Sequence, residues 1–459
     1  TSFIGTSTLS SDVLSYWDTS SVNDMSYMFS YAASFTGQLS SWDTSNVSDT
    51  KEKMVDMATL QLDKPGLAID PYFYRSHITY QSELENIVFK SWLYAGHISQ
   101  IPNKGDYFLF DIGEDSLIVC RDKKGEVRTM HNLCRHRGAR VCEESKGNSR
   151  AFVCPYHGWG YGLDGKLKAA RDMHNVDGFD FDDFSLIPVR MEIFQGMIFV
   201  NCDPEAPDFS KPLSNISRQL GAYDLENAKV AEAKTYRIDA NWKLCLENYL
   251  ECYHCASSHQ HYAKLHTLQA LAHKVKPINE AMWARAEEVT GVEGIADEYY
   301  GYYNDATDFG ACSYHSRYAL YEGFESGSKE GKPVAPLMGN MKGYDGGAGD
   351  FQMGPLTFML NYPDHCVLYR FIPRSITETD MELVWYVNGD AQEGVDYNKE
   401  DLTWLWHFTS LEDEFIIMRN SAGVNSHFFQ PGPYHPEHES TCMEFISWYL
   451  KALSKVTLN

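Results

Sequence analysis

The pattern of apolar and polar positions predicts a small β domain in the first half of the chain. Short runs rich in β-branched and aromatic residues follow one another closely, and glycine-containing segments separate several of them. Strands joined by such short turns pair in antiparallel fashion. The predicted strands are Tyr107–Ile112, Ser116–Asp122, Val127–Met130, Ala151–Val153, Val189–Phe194 and Met197–Val200.

The second half of the chain mixes helical and strand patterns. Helical periodicity begins near Trp242 and returns over Glu400–Asn420, while apolar runs at Leu356–Asn361, Cys366–Ile372 and Glu382–Val387 predict strands. This arrangement predicts an α+β domain built on an antiparallel sheet.

A shorter helical pattern precedes the β domain. Ser82 to Trp92 has helical spacing, and Ser82 with Glu85 three residues later forms a capping-box pattern. We therefore predict a helix that begins at Ser82.

Residues 1–50 differ from the rest of the chain. They contain no Lys, Arg, Glu or Cys, and Trp17–Val22 recurs as Trp42–Val47 with a period of 25 residues. This repeat resembles the BspA-type surface repeats of leucine-rich-like solenoids. Solenoids need about three stacked repeats to bury their faces, and two at most are present. We favour a fused fragment that is not part of the enzyme, with a surface-adhesion module as the alternative.

Composition and charge exclude several classes of protein. The chain has 459 residues, 43% of them hydrophobic, which is enough for a large buried core. Its formal net charge of −24 argues against nucleic acid or an anionic membrane surface as a partner. No apolar run approaches the ~18–20 residues that span a bilayer. The 11 cysteines are unevenly spaced, which predicts a cytoplasmic protein that uses some of them as metal ligands.

Two Cys and two His in the β domain form the first candidate metal site. They occur as Cys134-x-His136 and Cys154-x-x-His157, so each arm supplies one residue of each kind. Two thiolates and two imidazoles could hold zinc, although zinc fingers usually group the cysteines first. One Cys and one His from each arm is typical of a binuclear cluster with both Cys on one iron and both His on the other. Cys142 lies outside the pattern and is predicted to be a buried thiol.

The flanking residues carry a family resemblance. Cys134-Arg-His-Arg-Gly138 and Cys154-Pro-Tyr-His-Gly-Trp159 strongly resemble the two cluster loops of the Rieske non-haem iron oxygenases. The resemblance covers roughly residues 70–450 and implies a [2Fe–2S] cluster held by Cys134, His136, Cys154 and His157.

A second candidate site lies between Asn241 and His259. Asn241-Trp-Lys, Glu251-Cys-Tyr-His254 and His259 resemble the mononuclear-iron segment of the same family. On a helix, Glu251 and His254 would share a face, but His259 would lie about 140° further round than His254. Both imidazoles therefore reach one metal only if the helix bends or ends between them, for which residues 256–258 are suitable.

The resemblance also implies a carboxylate ligand from a late helix. The best match is Leu411-Glu412-Asp413-Glu414, and we assign Asp413, whose apolar neighbours in helical spacing suggest an inward position. Periodicity alone does not exclude Glu412. Two His and one carboxylate leave open positions on Fe(II) for O2.

The resemblance implies a fold and a division into domains. The expected fold is α+β, with a small antiparallel β Rieske domain and a catalytic domain of helix-grip type, in which helices flank an antiparallel sheet. The expected segments are a repeat fragment (1–50), a helical segment that packs on the catalytic domain (51–94), the Rieske domain (95–210) and the catalytic domain (211–459).

The resemblance further implies partners and a reaction. Electrons from NAD(P)H would arrive through a separate flavin/ferredoxin-type reductase, because the sequence contains neither a plant-type ferredoxin motif nor a nucleotide fingerprint. Glu251 would bridge the cluster histidine His157 of one subunit to the iron site of the next, in a head-to-tail homotrimer. The second iron site argues against a simple Rieske electron carrier.

Substrate class is suggested by two features. Glu at position 251 resembles the subgroup that acts on glycine betaine, carnitine and choline, whereas most aromatic-ring dioxygenases have Asp there. Tyr249 and residues 297–303 offer aromatic rings of the kind that hold quaternary ammonium groups. An aromatic ring or aromatic acid is the alternative substrate.

Overall fold

The N-terminal helical segment is folded against the end of the chain. The computed structural model describes residues 50–301, 303 and 312–457, so the repeat at residues 17–47 lies outside the described residues. Helix α1 packs along the C-terminal helix and buries Met54 and Ala58. The three helices of this segment are α1 (Lys51–Leu62), α2 (Tyr72–Arg75) and α3 (His77–Glu83).

The predicted helix start at Ser82 was wrong. The helix begins at His77, because the Ser76 side chain accepts a hydrogen bond from the Thr79 N–H and caps it. Ser82 lies inside the helix and is fully buried. The helix continues as one π-helical turn over Leu84–Val88.

Ten strands in three small antiparallel sheets form the β domain. Each strand that the sequence predicts here is present within one or two residues. The sheet orders are β4-β3-β2-β5, β6-β7-β8 and β1-β10-β9. The strands are β1 (Leu93–His97), β2 (Asp106–Ile112), β3 (Asp115–Arg121), β4 (Val127–His131), β5 (Lys146–Asn148), β6 (Phe152–Val153), β7 (Gly160–Tyr161), β8 (Leu167–Ala169), β9 (Arg190–Phe194) and β10 (Met197–Asn201).

A seven-stranded antiparallel sheet forms the centre of the second half, in the order β11-β17-β16-β15-β14-β13-β12. This architecture confirms the predicted α+β fold. Its elements in chain order are α4 (Ser210–Ser214), α5 (Ser217–Gly221), β11 (Lys229–Ile238), α6 (Trp242–Tyr249), α7 (Cys255–Ser258), α8 (Gln260–Leu265), α9 (Ala272–Thr290), β12 (Tyr299–Gly301), β13 (Ser313–Ala319), β14 (Gly347–Met353), β15 (Thr357–Asn361), β16 (Cys366–Ser375), β17 (Glu378–Val387), α10 (Lys399–Val424) and α11 (Ser440–Ser454).

The two faces of this sheet have different partners. Residues that pair across strands lie on the same face, so Phe358 and Tyr369 share one face, and Met359 and Leu368 share the other. The first face belongs to the core cluster that includes Trp406 of α10, and the second packs with α9. The face toward α10 therefore lies next to the helix predicted to supply the carboxylate.

Among the described helices, none combines the length and apolar character needed to cross a bilayer.

Candidate functional site: two adjacent sets of metal-binding side chains

The two cluster loops have the same backbone conformation. In each, the cysteine N–H donates to the carbonyl five residues later, and the glycine four residues later donates back to the cysteine carbonyl, at distances between 2.8 and 3.0 Å. Gly138 and Gly158 have φ of +76° and +71°, which favours glycine because it lacks a Cβ. The C-x-H and C-x-x-H arms therefore form two equivalent turns.

The predicted cluster side chains converge. Cys134 and Cys154 are buried, whereas His136 and His157 are exposed, with their Nδ1 atoms 3.2 Å apart. The Tyr161 hydroxyl lies 3.3 Å from the Cys134 Sγ. The two sulfurs are thus buried, and the two imidazole nitrogens lie together near the surface. This arrangement suits a binuclear cluster with one iron bound by the cysteines and shielded, and the other bound by the histidines near the surface. These residues fit a Rieske cluster. Cys142 is a half-buried free thiol.

The side chains of the second site also converge. The Nε2 atoms of His254 and His259 lie 3.0 Å apart, and Asp413 Oδ1 lies 3.3 Å and 3.0 Å from them. Ligands bonded to one metal at about 2.1 Å and near right angles are roughly 3 Å apart. The three atoms therefore fit a two-His-one-carboxylate iron site.

Two further carboxylates orient the imidazoles. His254 Nδ1 donates to Glu251 Oε1 at 2.5 Å, and His259 Nδ1 donates to Glu412 at 2.8 Å. Such bonds fix which ring nitrogen faces a metal. Glu412 contacts His259 through Nδ1, whereas Asp413 lies beside Nε2, the nitrogen that faces His254. Asp413 is therefore the carboxylate placed to share a metal with both imidazoles.

The electrostatics of this site favour positive charge. Burial opposes protonation of His254, but Asp413 and Glu251 outweigh it and raise its pKa to about 9. Burial alone would raise the pKa of Asp413, but His254 and His259 lower it below its usual value. His254 is therefore protonated at neutral pH beside an ionised Asp413, and a metal bound to the imidazole would displace that proton.

Glu251 and His254 are not on a helix, contrary to expectation. Helix α6 ends at Tyr249, and the next residues form a turn in which the Glu251 carboxylate accepts the backbone N–H groups of Tyr253 and His254. The expected interruption before His259 is present: α7 ends at Ser258, and His259 has non-helical φ and ψ of −122° and 75°. The turn, not a helical face, brings Glu251 to His254.

The cysteines beside His254 depart from the expected reduced state. Cys252 and Cys255 form a disulfide, because the turn brings their Cα atoms to 4.9 Å, within reach of an S–S bond. Cys255 Sγ is 3.9 Å from His254 Nε2, but in this bond it is not a thiolate ligand.

A cavity of about 470 Å³ opens beside His254, His259 and Asp413. Tyr249, the predicted pocket residue, lines it, and the Tyr249 ring lies 4.5 Å from the Phe358 ring. Of residues 297–303, Glu298 and Tyr300 line the cavity. The other aromatic lining residues are Tyr262, Tyr314, Tyr318, Tyr369 and Trp406.

Tyr303 and Asp297 do not line this cavity. Tyr303 packs against Phe445 and Trp448, and Asp297 pairs with Arg218. Tyr302 lies outside the described residues. The sequence did not reveal Asp350, which lines the cavity from β14, because nothing distinguishes it locally from the other 62 acidic residues.

The fold and these sites define an oxidoreductase that incorporates O2, with a Rieske domain and a catalytic domain. The chain belongs to the family described as ring hydroxylating alpha subunit (catalytic domain), which matches residues 225–455. The Rieske [2Fe-2S] domain matches residues 91–180. A family described as a Mycoplasma protein of unknown function, DUF285, matches residues 1–65.

Similar proteins include two kinds of oxygenase subunit. The glycine betaine monooxygenase oxygenase subunit of Pseudomonas aeruginosa is 35% identical over 378 residues, which is 82% of this chain and 87% of that protein. The carnitine monooxygenase oxygenase subunit of Escherichia coli K12 is 35% identical over 189 residues, 41% of this chain and 50% of that protein.

A solved structure shares the fold. The quaternary ammonium Rieske monooxygenase CntA, in complex with an inhibitor, has a TM-score of 0.65 at 19% identity, covering 87% of this chain and 98% of that one.

Proposed function

We propose that this oxygenase hydroxylates or N-demethylates a small quaternary ammonium compound. The observation that carries the proposal is the aromatic-lined cavity beside His254, His259 and Asp413. Aromatic ring faces attract cations, and quaternary ammonium groups are often bound in aromatic cages. The names of the relatives, glycine betaine and carnitine monooxygenase, support this class of substrate.

The cavity wall suits such a group. The Tyr249 ring lies 5.1 Å from Tyr369 and 5.6 Å from Phe371, so its position is fixed by packing. Its buried hydroxyl has no hydrogen-bond partner within the described part of the chain. Tyr249 therefore offers a ring face and an unused polar atom.

We propose that the two sets of side chains hold the two metal groups. Cys134, His136, Cys154 and His157 would hold the [2Fe–2S] cluster, and His254, His259 and Asp413 would hold Fe(II). When bound, these groups supply one-electron transfer and O2 activation. The protein's residues position the substrate beside the iron ligands and exclude water. NAD(P)H would be oxidised by a separate flavin/ferredoxin-type reductase.

A head-to-tail homotrimer is part of the proposal. The His157 side chain is exposed, and it lies beside the half-exposed ring of Tyr156. Glu251 accepts a hydrogen bond from His254 Nδ1 through Oε1 and from two backbone N–H groups through Oε2, and a carboxylate has about four acceptor sites, so one further imidazole can bond to it. His157 of the next subunit would bond this carboxylate and connect the cluster to the iron site in a closed ring.

An aromatic-ring substrate is the second candidate. Phe358, Leu360 and Met381 give part of the cavity wall an apolar character, and the family description names ring hydroxylation. A neutral ring would make no use of the acidic groups at the cavity.

Turnover with a generic reductase tests the proposal. Purified protein, reductase and NADH would be incubated with choline, glycine betaine, carnitine or benzoate, and NADH consumption would be compared with oxygenated product by mass spectrometry. The expected result is product from an ammonium compound, with one NADH and one O2 used per hydroxyl group inserted. His254→Ala supplies the inactive control. Product from benzoate alone would favour the second candidate.

We further propose that residues 1–50 are a BspA-like fragment fused to the enzyme. Deleting residues 2–49 keeps the Thr50 cap of α1 and the buried Met54, and should leave melting temperature, metal content and turnover unchanged. A deletion through Leu62 removes α1 and serves as the destabilised comparison. Loss of folding in the shorter deletion would show that the fragment belongs to the enzyme.

A further inference from the structure

An acidic side chain lies in the wall of the cavity, away from the metal-binding set. Asp350 is in the middle of β14, where it pairs with Ser316 of β13 and Leu360 of β15. All three line the cavity. The carboxyl group therefore belongs to the sheet wall, whereas the proposed iron ligands come from the helical side.

Asp350 has no partner of its own. Its side chain forms no hydrogen bond or ion pair with any residue that the structure describes, although Tyr249, Tyr262 and Tyr318 are close enough to interact with it electrostatically. A buried carboxylate without a partner is costly. Burial accordingly raises the pKa of Asp350 to about 7. Such a group is suited to a cationic ligand.

The cavity lacks a free Lys or Arg that could receive a substrate carboxylate. Residues 1–49, 302, 304–311 and 458–459 contain no Lys, Arg or His, so every basic side chain belongs to the described part of the chain. Arg317 is the one lining Lys or Arg there. Its side chain is fully buried on the opposite face of the sheet and is paired with both oxygens of Asp345.

The other basic groups at the cavity are three histidines. His254 and His259 belong to the proposed iron site, which leaves His438, whose ring stacks on Tyr253 at 5.1 Å, as the one lining imidazole outside it. Opposed to them are five acidic lining residues: Glu251, Glu298, Asp350, Asp413 and Glu437. The balance of charge favours a cation over a zwitterion.

We propose that Asp350 is the counter-ion of the substrate's quaternary nitrogen, and that the preferred substrate is an ammonium cation without a carboxylate. This inference rests on the proposed function and narrows it. The rings of Tyr249, Tyr262 and Tyr318 would surround the methyl groups while Asp350 balances their charge. Choline represents this class, whereas glycine betaine and carnitine carry a carboxylate that finds no free Lys or Arg here.

Equilibrium binding to the metal-loaded protein tests this inference at about pH 8, where an aspartate with a pKa near 7 is mostly ionised. The ligands are choline, its neutral isostere with carbon in place of nitrogen, and glycine betaine, each titrated by calorimetry. We expect choline to bind most tightly. Asp350→Asn should weaken choline binding by roughly 30-fold, as for removal of one partner of a buried charge pair, and should leave the isostere unchanged.

Glu298→Gln is the matched control, because it removes a negative charge at the exposed edge of the same cavity. It should weaken choline binding less than about threefold, as for exposed charges. Equal effects of the two substitutions, or glycine betaine binding more tightly than choline, would overturn the inference and leave the proposed function standing. Binding of none of the ammonium compounds to the unmodified protein would instead overturn the proposed function.

Discussion

Replacing Glu83 with Met should strongly destabilise the protein. The Glu83 carboxylate accepts hydrogen bonds from Lys243 Nζ at 2.6 Å, Trp242 Nε1 at 2.7 Å and the Tyr449 hydroxyl at 2.5 Å. All four side chains are fully buried. Through these hydrogen bonds, Glu83 links α3 to both α6 and α11. Helix α6 leads to the proposed iron site.

The size of the effect follows from these contacts. Removing one partner of a buried ion pair costs about 3–5 kcal/mol, and each of the two other donors left unpaired costs about 1 kcal/mol more. Burial lowers the pKa of Lys243 against the opposing effect of Glu83, so losing the carboxylate leaves an unfavourable ammonium. A loss of about 5 kcal/mol corresponds to a drop of roughly 10 °C in Tm for a cooperative unit of about 250 residues.

Scanning calorimetry of four variants at one scan rate provides the assay. Lys243→Met leaves the Glu83 carboxylate with two hydrogen-bond donors, so it should lower the stability less than Glu83→Met. The double substitution should recover part of the stability lost in Glu83→Met, because it also removes the unpaired ammonium. Glu280→Met breaks an exposed 3.9 Å pair with Lys276 and is the control, expected to cost under about 1 kcal/mol. A Glu83→Met shift no larger than the control would refute the reasoning.

Three other predictions concern the sites. Glu251→Gln should leave both metal groups loaded and the cluster reducible while nearly abolishing oxygenation; normal turnover would contradict the proposed connection through His254. Asp413→Ala should lose the mononuclear iron, measured by metal analysis, whereas Glu412→Ala should weaken iron binding only about 10–100-fold; the reverse order would exchange their roles. Choline affinity should rise roughly tenfold between about pH 6 and 8, because burial raises the pKa of Asp350 to about 7 and only the ionised carboxylate attracts the cation; Asp350→Asn should remove this dependence, and its persistence would assign it to another group, such as a cavity histidine.

The sequence predicted the elements whose pattern is locally strong. Strands β16 and β17 carry long apolar runs because both of their faces are buried, and α10 was anticipated within a few residues. Strands β13 and β14 were missed, since Ser313–Ala319 and Gly347–Met353 contain polar residues and glycines in place of such runs. Ser316 and Asp350 are among these polar residues and line the cavity, whereas the Arg317 side chain lies on the opposite face of the sheet.

The parts of the candidate site that come from residues close together in the sequence could be predicted. The cluster residues lie in two short motifs, so their approach follows from the motifs alone. The turn at Glu251 was assigned to a helix because i, i+3 spacing is shared by helices and by some capped turns. Asp350 comes from a strand nearly 100 residues after His254, and only the folded sheet brings it to the cavity.

Metal analysis combined with EPR of the purified, iron-replete protein tests the central claim most directly. About two cluster irons and one further iron per chain are expected, with a brown colour and, after reduction, the low average-g signal of an imidazole-ligated [2Fe–2S] centre. His157→Cys should lower the cluster potential where the cluster survives, because thiolate replaces a neutral ligand. One equivalent of zinc with no visible absorbance would contradict the account.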